Sequence, residues 1–204
     1  MRAVAPSARW NGEEVHVVSF ATRGNLAAGG VAVAAVTLAA AVSSTTFAHG
    51  PTRQKVTETI EIDAPAEKVW AAVGSFYDLG WLPIVARTDG SGDLVPDQAM
   101  RHITVRNGGE FDEILARYDA QNFMYCYRIE HIDVKLLPVT NYSSFVTVKP
   151  DGAKSVIEWR GAFYRGYPLN DPPPELNDDA AVKAVTGLYK AGLAASKAKI
   201  ESGT

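Results

Sequence analysis

The chain has one cysteine, Cys126, and four histidines in 204 residues. A single thiol cannot form an internal disulfide and supplies at most one thiolate to a metal, so disulfide scaffolds and cysteine zinc sites are excluded. Excess positive charge is also missing. Twenty Lys and Arg stand against 23 Asp and Glu, a formal net charge of -3, which leaves no field to hold a nucleic acid. There is no internal repeat, no glycine-rich phosphate loop and no Gly-x-Ser-x-Gly nucleophile elbow; Gly90-Ser91-Gly92 is only superficially similar and reads as a loop between strands. What is present, 47% hydrophobic and 21% charged residues, is the balance of a globular protein of roughly one domain's length.

From Gly24 to Thr52 there is no Lys, Arg, Asp or Glu, and within that window Leu26 to Val42 is an alanine-rich apolar run of 17 residues. Arg23 precedes it, and Ser43, Ser44, Thr45, Thr46, Phe47 and Ala48 follow. Basic, apolar and small residues in that order read as an export signal over 1–48, cleaved after Ala48 with Thr46 at the minus-three position. The alternative is an uncleaved anchor, because a helix of that length spans about 26 Å against a hydrocarbon core of about 30 Å. Residues 49–204 then form a single, mildly acidic domain, large enough to bury a core without disulfides.

Lys55 to Ile62 alternates apolar and polar residues and reads as a half-buried strand. Asp63 is expected to cap a helix with Pro65 in its first turn, Val69, Trp70 and Val73 on its apolar stripe and Gly74 at its end. A second helical turn is expected around Ser75 to Leu79. Six strand-like runs follow: Ile84 to Thr88, Met100 to Arg106, Glu110 to Tyr118, Asn122 to Glu130, Tyr142 to Lys149 and Ser155 to Tyr164. Their short, turn-rich links imply an antiparallel meander. Asp171-Pro172-Pro173-Pro174 is too stiff and donor-poor for sheet or helix and reads as an extended strap. A long helix closes the chain, capped by Asn177, with Val182, Val185, Tyr189 and Gly192 on one stripe.

This order of elements resembles the START-like helix-grip superfamily, also called SRPBCC or polyketide cyclase/dehydrase-like. The carriers are Ile62-Asp63-Ala64-Pro65-Ala66-Glu67-Lys68-Val69-Trp70 and the closing Ile157-Glu158-Trp159 strand with its helix. The resemblance covers residues 54 to 200. It implies an α+β helix-grip fold: a curved antiparallel β-sheet of about seven strands wrapped around a long C-terminal α-helix, with two short helices after strand 1. Leu137-Pro138-Val139-Thr140-Asn141-Tyr142 and the tract from Phe163 to Asp178 resemble the MxaD-like exported branch. What the resemblance implies is a hydrophobic-ligand cavity and, for that branch, a periplasmic role assisting methanol oxidation.

Chemistry-bearing residues are few. Cleavage after Ala48 would leave His49 at the amino terminus, where amine and imidazole chelate copper only with a second histidine, and His102 and His131 read more simply as half-exposed strand residues. No metal and no cofactor is expected. Cys126 falls on the opposite strand face from Tyr125 and Tyr127, with nothing nearby to lower its pKa, so no catalytic thiol is expected. Phe123, Tyr125, Tyr127 and Ile129 share one strand face, and Ile157, Trp159 and Phe163 share another. These faces line either a filled core or a cavity; tyrosine hydroxyls, which need partners when buried, favour the cavity. Gly187 and Gly192 inside the last helix each cost about 1 kcal/mol relative to alanine, through close packing or to leave room for a ligand.

The hairpin at Asn107-Gly108-Gly109 has two candidate registers. A two-residue loop pairs Thr104 with Phe111; a three-residue loop with a left-handed glycine pairs Val105 with Phe111, Ile103 with Glu113 and Arg101 with Leu115. The second matches apolar residues better and puts Arg101 and Glu113 on the inner face as diagonal neighbours. The expected ligand cavity is therefore Arg101, Ile103, Glu113, Leu115, Tyr125, Tyr127, Trp159, Tyr189 and Gly192. Tyr164, Arg165 and Tyr167 form a candidate partner surface, or a tract that merely carries the chain to the helix. Of three functions the sequence favours the first, and the other two are alternatives. The first is an exported, non-enzymatic protein holding a small hydrophobic or amphipathic ligand. The second is a cyclase or dehydratase using Arg101, Glu113, Tyr125 and Tyr127. The third is an accessory protein of a periplasmic quinoprotein (methanol) dehydrogenase. Membrane contact is expected only through an uncleaved signal.

Overall fold

A computed structural model describes residues 50–203. The export-signal reading of 1–48 and the copper reading of His49 lie outside the described residues, among which no helix is long and apolar enough to cross a membrane.

Seven strands form one antiparallel sheet: β1 (Gln54–Ile62), β2 (Val85–Ser91), β3 (Met100–Val105), β4 (Glu110–Asp119), β5 (Met124–Ile132), β6 (Val139–Asp151) and β7 (Lys154–Arg165). Their spatial order is β1-β7-β6-β5-β4-β3-β2. Consecutive strands from β2 to β7 pair as a meander, and β1 closes against β7, with Val56 opposite Gly161 and Ile60 opposite Ile157. Register shifts within β2–β3, β4–β5 and β6–β7 bend the strands into a curved sheet. Among the described residues the α-helices are α1 (Ala66–Val73) and α2 (Asp178–Ser202). Ala181, Val185, Tyr189, Gly192, Leu193, Ser196 and Ile200 form the buried face of α2, which is the helix-grip arrangement.

Several expectations need correction. The N-cap of α1 is Pro65, without a side-chain bond; Asp63 instead donates its backbone N–H to Glu201 Oε1 at 2.8 Å, joining the end of β1 to the end of α2. Gly74 does end α1, its N–H donating to the Trp70 carbonyl at 2.7 Å. No second helix follows. Phe76 and Leu79 turn into the core at 1% and 2% exposure, and the Phe76 carbonyl, which a helix would have kept for itself, accepts from Arg101 Nη1 at 2.6 Å. Gly90 and Ser91 belong to β2, opposite Arg101 and Met100. Phe123 lies outside β5, in left-handed backbone (φ 49°) that closes a 3-10 turn at Ala120–Asn122. The proline strap turns sooner than expected: Asp171 has φ 54°, and Pro174–Leu176 is a 3-10 turn. Asn177 then caps α2, its Oδ1 accepting from the Ala180 N–H at 2.8 Å.

The β3–β4 hairpin has neither of the two expected registers. Arg101 pairs with Glu113, Ile103 with Phe111 and Thr104 with Glu110. The loop does have three residues, but they are Arg106-Asn107-Gly108: the Gly108 N–H donates to the Val105 carbonyl and the Val105 N–H to the Gly109 carbonyl. Gly108, at φ 85°, takes the left-handed position that this turn requires. The loop therefore begins one residue earlier than expected, which moves the pairing by two. Because side chains alternate with period two, the faces are unchanged. Arg101 and Glu113 stay inside, as direct partners rather than diagonal ones.

Candidate functional site

Between α2 and the concave sheet lies a cavity of about 380 Å³, within the range of small-molecule sites. Its wall comes from four places. The segment before β2 supplies Leu79, Trp81, Leu82, Pro83 and Ile84. Inner positions of β3, β4 and β5 supply Arg101, Val105, Phe111, Glu113, Tyr125, Tyr127, Ile129 and Ile132. The β5–β6 link adds Leu136 and Leu137, and α2 adds Ala184, Gly187, Leu188, Ala191 and Gly192; Tyr142 of β6 and Trp159 of β7 complete the strand side. Apolar side chains predominate.

Of the residues singled out in the sequence, Arg101, Glu113, Tyr125, Tyr127, Trp159 and Gly192 line this cavity. Ile103, Leu115 and Tyr189 do not. All three are 0% exposed and belong to the packed core. Ile103 lies opposite Phe111 and Leu115 opposite Tyr127. The Tyr189 ring stacks on Trp159 at 4.2 Å.

Arg101 and Glu113 form a closed pair. Arg101 Nε donates to Glu113 Oε2 at 2.6 Å and Nη2 engages the same oxygen, while Nη1 is held by the Phe76 carbonyl. The guanidinium also lies over the rings of Phe76 and Tyr127, at 4.3 and 4.9 Å. Burial works most strongly against the charge on Arg101, but the attraction and hydrogen bond of Glu113 together with Tyr125 and Tyr127 outweigh it and hold the guanidinium protonated. Burial lifts the Glu113 carboxyl above the usual carboxylate range, with Arg101 opposing.

A second network runs through hydroxyl groups, and counting donors fixes its direction. Ser144 Oγ must donate to the Arg160 carbonyl, at 2.9 Å, so it accepts from Tyr189 at 2.8 Å and from Trp159 Nε1 at 2.9 Å. Tyr189 has then spent its hydrogen and accepts from Tyr142 at 2.6 Å. Tyr142 in turn accepts from Tyr127 over a longer 3.4 Å. The chain of donation therefore runs Tyr127, Tyr142, Tyr189, Ser144, Arg160. Gly161 permits it. A Cβ there would meet the Tyr189 hydroxyl at 2.2 Å, which explains a glycine in a strand interior. Burial pushes all three of these tyrosines up, Tyr127 and Tyr142 furthest above the ordinary value. Tyr125 is also raised by burial, although Arg101 favours its ionised form.

The remaining candidates fall elsewhere. Arg165 is buried, and its donors are taken by the Tyr167 and Leu169 carbonyls at 2.9 and 2.8 Å and by Asp178 at 3.3 Å. It fastens the crossing tract to the start of α2 and is not free for a partner. Tyr164 is half-buried with Arg53 over its ring, and Tyr167 is half-buried. Burial raises the Cys126 thiol, which keeps it protonated. His102 Nδ1 meets Asp112 at 2.7 Å on the outer face, and His131 is exposed on the same strand as Cys126. Among the described residues no group of three His, Cys, Asp or Glu is placed to hold a metal.

Sequence reading missed Trp81, Leu82, Leu136, Leu137 and Leu188 as wall residues, and Ser144 as the hub of the hydroxyl chain. Links and half-buried helix positions carry no periodicity that marks them. The glycine at 161, inside an otherwise regular strand, was the available signal for Ser144 and Tyr189.

Comparison with known proteins finds the same fold. A solved structure from Bacillus thuringiensis, described as a putative uncharacterized protein, is 29% identical, covering 72% of this chain and 98% of that one with a TM-score of 0.59. The protein XoxI from Bacillus cereus is 28% identical over 72% of this chain and 94% of its own, TM-score 0.59. At 16% identity the ZhuI aromatase/cyclase from Streptomyces sp. R1128 shares the fold, with a TM-score of 0.59 over 74% of this chain and 94% of its own. No curated protein matches the chain in sequence. The family model described as polyketide cyclase / dehydrase and lipid transport matches residues 53–201, and to that family the chain belongs.

Proposed function

We propose that the protein holds a small apolar or amphipathic molecule between sheet and α2 and does not transform it, and that it works outside the cytoplasm. The observation that carries the first part is the cavity itself: about 380 Å³ walled mainly by apolar side chains, with its one charged pair closed on itself. Apolar walls supply affinity, and the few polar groups orient the occupant. The tyrosines of the wall have pKa values raised by burial, so none is poised to exchange a proton near neutrality. Export rests on the uncharged run from Leu26 to Val42 and the small residues behind it. The MxaD-like segments extend the reading to a protein that assists a periplasmic quinoprotein dehydrogenase.

A second reading, a cyclase or dehydratase, is favoured by one observation. Glu113 stands in the cavity wall with a carboxyl lifted by burial, a property of general acids. The fold is shared with norcoclaurine synthase from Thalictrum flavum, solved in complex with dopamine and hydroxybenzaldehyde.

Native mass spectrometry of protein purified from its own cells separates the readings. A molecule bound one to one and recovered with its mass unchanged after incubation is the expected result. Conversion of that molecule to a new mass supports catalysis, and the absence of any bound species, natural or added, contradicts both. The intact mass reports processing in the same experiment: loss of about the first 48 residues is expected from the signal pattern.

A further inference from the structure

The charged pair in the cavity wall is closed in charge but not in hydrogen bonds. Arg101 directs Nε and Nη2 to one oxygen of Glu113, Oε2, and Nη1 to the Phe76 carbonyl. Among the described residues no hydrogen bond reaches the other oxygen, Oε1. The side-chain atoms that are both shut off from solvent and without a partner are Trp81 Nε1, the Tyr125 hydroxyl and Asp178 Oδ1. Glu113 Oε1 is not one of them, so it keeps an open surface. Glu113 is a wall residue on the inner face, 4% exposed, and what it leaves open it turns to the cavity.

Arg101 is covered instead. Its guanidinium lies over the rings of Phe76, Tyr127 and Tyr125 at 4.3, 4.9 and 5.8 Å, and the residue is 1% exposed. The cavity therefore meets the negative end of a neutral pair. Tyr127 and Tyr142 pass their hydrogens along the hydroxyl chain, which leaves Oε1 to an occupant. A carboxylate or phosphate would lose its water, face Glu113 and find every guanidinium nitrogen engaged. An ammonium would lose its water to meet a carboxylate that Arg101 already balances. A hydroxyl loses far less and gives its hydrogen to Oε1 in a charge-assisted bond, the stronger kind.

We infer that the cavity selects an uncharged apolar molecule bearing a hydroxyl group that donates to Glu113 Oε1, and that Glu113 sets this preference over the carboxylate of the same skeleton. The inference rests on the ligand-holding reading above and names the chemistry of the ligand's polar end.

Three naphthalene probes test it by titration calorimetry with the full chain near neutral pH. They are 2-naphthalenemethanol, which has the hydroxyl; 2-(methoxymethyl)naphthalene, which keeps the oxygen and lacks the hydrogen; and 2-naphthoate, an anion. The alcohol should bind at least about tenfold more tightly than either of the others, although the ether buries one more methyl group. Infrared difference spectra of the unaltered protein should show a carboxylate band that the alcohol moves and the ether does not. Replacing both partners, Arg101→Met with Glu113→Leu, leaves no buried charge unpaired, and in that protein alcohol and ether should bind equally. Should the double variant fail to fold, the calorimetry and the infrared band of the unaltered protein carry the test. Equal affinity for alcohol and ether, tighter binding of naphthoate, an unmoved carboxylate band, or a folded double variant that still prefers the alcohol overturns the inference and leaves the cavity reading standing. If none of the three probes binds, the inference falls together with that reading.

Discussion

Arg101 and Glu113 show what a single register decides. At 1% and 4% exposure the two charges are tolerated because each is the other's counter-ion, and Phe76 takes a further donor. Removing one partner of a buried pair leaves an uncompensated charge, so Glu113→Gln should lower unfolding stability by about 3 kcal/mol in urea titrations. The double replacement Arg101→Met with Glu113→Leu should recover most of that loss. A fully stable Glu113→Gln protein would mean that the arginine finds solvent. On the outer face His102 behaves differently. Its hydrogen bond to Asp112, and the charges of Asp112, Glu110 and Asp89, raise its pKa from the ordinary 6.5 despite some desolvation. Its stabilising contribution is therefore fully present below about pH 6.5 and is lost as pH rises through the higher folded value. An NMR titration should place His102 above 6.5, and His102→Gln should remove the corresponding decline in stability on the alkaline side.

At the scale of elements, alternation in strands was legible and the links were not. The inward faces of Tyr125 and Tyr127, and of Ile157, Trp159 and Phe163, followed from period two, and each of these residues is buried. The hairpin register was not legible, because Arg106-Asn107-Gly108 and Asn107-Gly108-Gly109 both offer a glycine for the left-handed position. The face survived the error only because the shift was even. Helix α2 was readable from its cap and stripe, but its two glycines look alike in sequence and differ in space. A Cβ on Gly192 would meet Leu82 at 2.5 Å and Trp159 at 2.9 Å, whereas one on Gly187 meets nothing within 4 Å. Gly192 is thus the close-packed position. Gly192→Leu should destabilise the fold by about 1–3 kcal/mol through overpacking, seen as a lower midpoint in thermal or urea unfolding. An unchanged midpoint would place open space where the structure has Leu82 and the Trp159 ring.

At the scale of the whole molecule, the sheet and α2 enclose space that neither would enclose alone. The strand order could be read from turn-rich links, and the family likeness from the segment Ile62 to Trp70 and from the last strand and helix. The cavity's wall was half readable. Its sheet side follows from strand alternation, but its more exposed wall is built from Ile84, Leu136, Leu137, Leu188 and Gly187, which meet only when two links and a helix converge. Such convergence is a tertiary fact with no local signature. It also sets the most direct test of the account. Gly187 lines the cavity at an exposed position with free space over it, so Gly187→Phe should block the cavity without strain and should stabilise α2 slightly by replacing a helical glycine. The measurement is the binding of the neutral dye N-phenyl-1-naphthylamine, followed by quenching of tryptophan emission, in the unaltered protein and in Gly187→Phe. The account predicts saturable one-to-one binding that Gly187→Phe abolishes while the unfolding midpoint holds or rises; no binding to the unaltered protein, or equal binding to both, would contradict it.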